Sequence, residues 1–200
     1  MALADHFERV VATDPSEPQI SHALPHRRVE YRVGKAETSG LESGSVDLAT
    51  AAQAFHWYDF DRYFAEVERV LAPGGVVAVW TYNLARVDPE VDRWTDRLGR
   101  EVVGPWWPPE RRWVDEEYQT IPFPFKEIPI APLRHEEQWD LERLTSYFRT
   151  WSSVQRYRKE TGRDPLAEVM DGLTAAWGDP AEVRTVHWPI FIRAGRPRQT

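Results

Sequence analysis

The stretch SVDLATAAQAFHWYDFDRYFAEVERVLAPGGVVAVW, residues 45–80, constrains the fold of this chain more than any other part of it. Val46-Asp47-Leu48-Ala49-Thr50-Ala51 is short and apolar enough for a buried parallel strand. From Phe60 the apolar positions recur at Tyr63, Phe64, Val67, Val70 and Leu71, the spacing of a helix with one buried face. Asp59 precedes that helix as its N-cap. Pro73-Gly74-Gly75 stops it, because proline cannot continue a helix and glycine accepts the left-handed geometry of a helix end. Val76 to Trp80 then supplies a second buried strand. Two parallel strands joined by a crossover helix make a right-handed βαβ unit.

Open α/β sheets bind ligands at the carboxyl ends of their strands. Here the first strand runs out at Ala51-Ala52-Gln53-Ala54-Phe55-His56-Trp57, where an amide, an imidazole and an indole emerge close together. The small residues Ala52 and Ala54 let backbone approach a ligand closely. Upstream, Val10 to Asp14 reads as another strand, and Asp14-Pro15-Ser16-Glu17 reads as a helix start with Asp14 at the N-cap and Pro15 at the first helical position. A carboxylate at that strand end can also accept hydrogen bonds from both hydroxyls of a ribose. The two roles are compatible, and NAD-binding folds use an acid there too. Val29 to Val33 alternates as a strand, followed by the loop Gly34-Lys35-Ala36-Glu37.

These residues carry a resemblance. Val11 to Ser16, Ala36-Glu37, Ala54-Phe55-His56-Trp57 and Arg69-Val70-Leu71-Ala72-Pro73-Gly74-Gly75 together resemble the class I S-adenosylmethionine-dependent methyltransferases. The His-Trp pair narrows the likeness to the small-molecule group typified by trans-aconitate methyltransferases. The pattern runs from about Leu3 to Tyr82 and more weakly beyond. The resemblance implies an α/β, Rossmann-like, mostly parallel sheet carrying a helical, Trp-rich cap, and S-adenosyl-L-methionine as cofactor. It places Asp14 on the ribose, the Ala36 N–H and Glu37 at the adenine, and Gln53, Ala54 and Trp57 beside the sulfonium. Trp57 or a neighbouring aromatic would meet the methyl cation face-on. His56 is the catalytic candidate, as a general base or a partner of the acceptor, with a purely structural role as the alternative. Lys35 departs from the family, which often carries an acid at that point.

A second departure is larger. Enzymes of this class begin with a central strand and a glycine-rich loop, and the sequence contains no G-x-G-x-G. Met1 to Arg9 reads as the tail of the helix that should follow such a loop. The expected sheet is therefore incomplete at its N-terminal central strand, leaving its neighbours roughly 10 Å apart. Three repairs are open: a true start upstream, which is the leading expectation, a strand donated by another copy in a homo-oligomer, or closure of the flanking strands.

The chain is expected to form one domain over residues 1–200: a cofactor-binding part at 1–82, a cap and substrate region at 83–180 and a final strand at 181–194. Within the cap, helices are predicted over Pro89 to about Val103, Asp140 to about Lys159 and Pro165 to Trp177, with a short edge strand in Phe123 to Ile130. Arg184 to Arg193 reads as the last strand, with a frayed tail from Gly195 to Thr200. Ten tryptophans, most of them between Tyr82 and Pro180, set this region apart. Trp106, Trp107, Trp113 and Tyr147 either wall a substrate pocket or pack a core. Arg86, Arg111, Arg112, Arg134 and Arg149 are candidates for binding a carboxylate.

With 42% hydrophobic residues the chain can bury a core, and its net charge of −7 argues against a nucleic-acid surface. No apolar run reaches membrane-span length, no signal-peptide pattern opens the chain, and the absence of cysteine suits a cytoplasmic setting. No metal-ligand spacing surrounds His56. The leading expectation is methyl transfer to a small molecule, with a carboxylic acid oxygen as the acceptor. A non-catalytic remnant or interaction module is the alternative, and a nicotinamide-dependent oxidoreductase a weaker one.

Overall fold

The computed structural model describes residues 2–198, so Met1 of the expected helix tail and Gln199 and Thr200 of the expected frayed tail lie outside the described residues. The chain forms two compact units: Met1–Ala78 with Phe123–Ile128 and Ala194–Thr200, and Val79–Pro122 with Pro129–Arg193.

The first unit opens with a short helix, α1 (Leu3–His6), and strand β1 (Val10–Asp14). Helix α2 (Glu17–Ser21) leads to β2 (Val29–Val33), which pairs parallel with β1 from Val10↔Val29 to Asp14↔Val33. Asp14 is not the N-cap of α2, contrary to the sequence reading: Ser16 holds that position and Pro18, not Pro15, lies in the first turn. The Asp14 carboxylate instead accepts the Ser16 N–H at 2.7 Å, a local turn that competes with helix initiation two residues earlier.

The βαβ unit forms as its spacing demands: β3 (Val46–Ala52), α3 (Phe60–Val70) and β4 (Leu71–Tyr82). Asp59 caps α3, its carboxylate accepting the Arg62 N–H at 3.2 Å. Tyr63, Phe64, Val67 and Val70 form the buried face, each removal from water worth about 1.5–3 kcal/mol. The last carbonyls of α3 are met by Gly44 and Ser45 N–H groups at 3.0 and 2.9 Å. The helix ends before Pro73-Gly74-Gly75. Leu71 is already extended, and the glycines belong to β4. Gly75 fits only without a side chain, since a Cβ there would come within 2.9 Å of the Val46 carbonyl oxygen.

Strand β5 (Lys126–Ile128) pairs antiparallel with the end of β7 (Arg184–Arg196), so Gly195 and Arg196 are strand and not frayed tail. A further strand, β6 (Leu133–Trp139), pairs antiparallel with β7 from Leu133↔Ile190 to Trp139↔Arg184. The sequence hid β6 because it is exposed almost throughout and shows no apolar alternation. The larger sheet runs β3-β4-β7-β5 with β6 beside β7; β1 and β2 form a separate pair. The architecture is a Rossmann-like α/β fold whose β1–β2 pair and larger sheet are separate among the described residues. Closure of the flanking strands does not occur, since β1 and β3 do not pair among the described residues.

In the second unit, the expected helix over 89–103 is α4 (Pro89–Asp96) followed by a wider π-turn over Arg97–Val102. Asp88 caps α4 by accepting the Glu90 and Val91 N–H groups. A short α5 (Arg111–Asp115) follows the Gly104–Trp106 turn. The single helix expected from Asp140 is two, α6 (Leu141–Arg149) and α7 (Ser152–Thr161). They break at Trp151, whose extended backbone seats its ring 4.8 Å from Phe148. Pro165–Glu168 is a 3₁₀ turn ahead of α8 (Met170–Trp177). Leu84, Val91, Leu98, Leu144, Phe148, Leu166 and Leu173 make a fully buried core.

Gly172 of α8 faces Trp94 of α4 so closely that a Cβ would lie 2.0 Å from the indole. Gly172→Ala is expected to destabilise the chain by about 1–3 kcal/mol through overpacking, read as a lower denaturant midpoint at unchanged slope.

Candidate functional site

The loop after β3 is held by one ring. Phe55 is fully buried, with ring centroids of Phe60, Tyr63 and Phe64 at 4.9, 5.5 and 5.5 Å and Tyr58 at 6.1 Å. Phe55 to Trp57 form a single 3₁₀ turn that follows Gln53, whose φ of +47° is left-handed. A non-glycine residue held there stores about 1–3 kcal/mol of strain, and such residues concentrate at ligand sites. His56 is buried and its ring lies 5.0 Å from that of Trp57, which is 57% exposed.

At the end of β1, the Asp14 Oδ1 accepts from Ser16 N–H and its backbone carbonyl accepts the Gly34 N–H at 3.1 Å. Oδ2 has no partner among the described residues. Glu37 crosses from the β2 loop to the start of α3, where its Oε1 accepts the Asp59 N–H at 3.0 Å. Both carboxylates act on Tyr58: burial pushes the phenol pKa up, and the negative charges of Glu37 and Asp14 push it further the same way. Tyr58 is thus a neutral hydroxyl at neutral pH, flanked by two acids. The structure therefore brings Asp14, Glu37 and the turn after β3 to one end of the first unit.

Tyr58 and Ala36 also line a cavity of about 680 Å³ in this unit. Its walls are Val10 to Thr13 of β1, Val46 to Thr50 of β3 and Tyr63, Glu66, Val67 and Val70 of α3. Gln53, Ala54, His56 and Trp57 are not in its lining. The Tyr63 hydroxyl, buried in this wall, has no hydrogen-bond partner among the described residues, and burial pushes its pKa up. An unmet buried hydroxyl costs about 1–3 kcal/mol. Tyr63 escaped the sequence reading as a site residue because it fits the apolar spacing of the helix, Phe55 entered it only as part of the Ala54-Phe55-His56-Trp57 motif, and Tyr58 was not singled out. A tyrosine at a core position next to a strand end was the available signal.

These groups fit the nucleoside half of S-adenosylmethionine: a carboxylate oxygen that can accept at a strand end, and, in the cavity lining, the Ala36 backbone N–H and the Tyr58 phenol. For the amino-acid half, no glycine-rich loop is present in the sequence. Among the described residues no group of three or more His, Cys, Asp or Glu side chains could hold a metal ion, and no helix is long and apolar enough to cross a membrane.

Known methyltransferases resemble this chain in sequence and fold. The methyltransferase-domain family model matches residues 1–79. A solved structure described as a type II methyltransferase from Anaeromyxobacter dehalogenans is 52% identical, with a TM-score of 0.90 over 98% of this chain and 84% of that one. A methyltransferase of Dictyostelium discoideum is 30% identical over 197 residues, 95% of this chain and 74% of that protein. An uncharacterised methyltransferase of Mycobacterium bovis is 36% identical over 134 residues, and the match spans about half of its length, 48%. This chain belongs to the class I S-adenosylmethionine-dependent methyltransferases.

The carboxylate candidates differ in their surroundings, and Arg111, like three of the others, is paired with an acid, Asp115. Arg86 is tied to Asp96, Arg134 to Glu136 and Arg149 to Asp164, whereas Arg111 and Arg112 line a second cavity with Trp107. Trp106 and Tyr147 pack against the core of the second unit.

Glu66, in the cavity wall, fixes the loop before β3. Its Oε1 accepts the Ser39 N–H at 2.8 Å and the Ser39 hydroxyl at 2.5 Å, and its two oxygens take a fork from Arg69 at 2.8 Å each. The Arg69 hydrogen bonds, aided by Ser39, hold its pKa down to about 2 from an ordinary 4.5. A depressed carboxyl pKa stabilises the fold above the unfolded value and loses that contribution as pH falls through the folded one. Wild type should therefore exceed Glu66→Gln in stability at pH 7, with the gap shrinking between about pH 4.5 and 2, as measured by denaturation across that range.

Proposed function

We propose that this chain transfers a methyl group from S-adenosylmethionine to a small molecule, with an oxygen of a carboxylic acid as the acceptor atom, in the manner of the trans-aconitate methyltransferase group. The observation that carries this reading is Asp14: a carboxylate at the end of β1 with one oxygen used by Ser16 and the other free beside Tyr58. When bound, the cofactor supplies an activated methyl on a sulfonium. Asp14 Oδ2 accepts from the ribose hydroxyls, and the Ala36 N–H donates at the adenine. Glu37 holds its loop against Asp59 and keeps a second oxygen for the nucleoside. Gln53, Ala54 and Trp57 form the turn beside the sulfonium, and the exposed Trp57 face is available to a cation at about 0.5–2 kcal/mol. His56 positions the acceptor. An ionised carboxylate needs no base, so alignment and exclusion of water are what the chain must provide. The absence of cysteine suits the cytoplasm, the proposed location.

A second reading, a methyltransferase-fold module without turnover, is favoured by the divided sheet and the missing glycine-rich loop. Cofactor binding separates the two. Asp14→Ala should weaken binding of S-adenosylhomocysteine more than tenfold by calorimetry, and Asp14→Asn, which keeps the turn to Ser16, should weaken it less. Unchanged affinity in Asp14→Ala contradicts the ribose assignment.

A further inference from the structure

The second cavity, in the second unit, has a volume of about 480 Å³, within the range of small-ligand pockets. Leu84, Pro105, Trp107 and Pro108 give it an apolar body, while Arg100, Arg111, Arg112 and Asp115 are its charged lining. Arg111 is fixed. Its Nε donates to Asp115 at 3.0 Å, its Nη2 donates to the Asn83 amide oxygen, and its guanidinium lies 4.4 Å from the Trp107 ring centroid. Trp107 is fixed in turn by its indole N–H, which donates to the Gly99 carbonyl at 2.8 Å. Arg100 spends its Nε on Asp96 at 3.1 Å. Arg112 makes no ion pair among the described residues; its guanidinium stacks on Trp113 at 4.1 Å.

Three arginines against one lining acid leave the cavity electropositive in a chain that is negative overall. The Arg111–Asp115 pair cancels locally, and Asp96 offsets part of Arg100. The uncompensated charge is that of Arg112, with the outer N–H groups of Arg100 beside it. Planar guanidinium forks match a carboxylate, and the tryptophan and proline walls match a flat apolar body.

We propose that this cavity binds a small organic monoanion, a carboxylate carried on a planar apolar group, with Arg112 as its principal charge partner and Trp107 as its floor. The inference stands on the second unit alone and does not depend on methyl transfer.

The test is an NMR titration of the whole chain, without cofactor, using benzoate and its uncharged amide, benzamide. The readout is the Trp107 indole N–H resonance, identified by its loss in Trp107→Phe. Benzoate should shift that resonance and bind at least about tenfold more tightly than benzamide, with the preference falling as salt rises. Arg112→Gln should weaken benzoate at least about fivefold and leave benzamide unchanged, while Arg112→Lys retains an intermediate affinity. Arg112 is exposed, so the fold is expected to survive both changes. Equal binding of the two probes, an unmoved Trp107 resonance, or benzoate affinity unaffected by Arg112→Gln would each overturn the proposal.

Discussion

Burial of the Phe55 ring is the interaction on which the candidate site depends. The residue sits between a strand and a helix that hydrogen bonds alone would leave free to vary in angle, and it fills the space between them. Its ring contacts three aromatic residues of α3 as well as Tyr58. That packing sets where Gln53, Ala54, His56 and Trp57 stand relative to the end of β3, and it is strong enough to hold Gln53 in a left-handed conformation. Glu37 ties a second loop to the start of the same helix through Asp59. The helix is therefore more than a crossover: it is the common support for both loops of the candidate site.

The same helix forms one wall of the cavity between β1 and β3, so the site and the division of the sheet are physically linked. Strand edges that do not pair leave backbone groups to be satisfied by other means. The unmet Tyr63 hydroxyl adds a polar group to a wall that is otherwise largely apolar. The Glu66–Arg69–Ser39 network stiffens the cavity rim with charge-assisted hydrogen bonds, part-buried at Ser39 and exposed at Arg69. Polar anchors of this kind hold loop positions that apolar packing alone leaves soft.

Much of this was legible in the sequence where one periodicity dominated. The α3 spacing, the Asp59 cap and the β1 and β2 strands are local patterns, and each formed near its expected limits. The family resemblance was legible too, because it rests on short motifs at strand ends and helix stops. What stayed hidden depends on distant partners. Strand β6 carries Arg-His-Glu-Glu-Gln and gains its identity only by pairing with β7. The break between α6 and α7 follows from where Trp151 finds its core neighbours, not from any proline or glycine. Asp14 was legible as a strand-end acid but not as a residue set apart from the helix cap. The five candidate arginines looked alike in sequence; four of them pair with a carboxylate, and only Arg111 and Arg112 line the second cavity.

We propose that the described residues recognise the nucleoside half of the cofactor, through Asp14, the Ala36 backbone and the Tyr58 neighbourhood. Calorimetric titration of the chain with S-adenosylhomocysteine and with 5′-methylthioadenosine, which keeps the nucleoside and lacks the amino acid, tests it directly. Both should bind, with affinities within about tenfold of each other, a difference of about 1.4 kcal/mol. Binding of S-adenosylhomocysteine alone, or of neither by the folded chain, would contradict it.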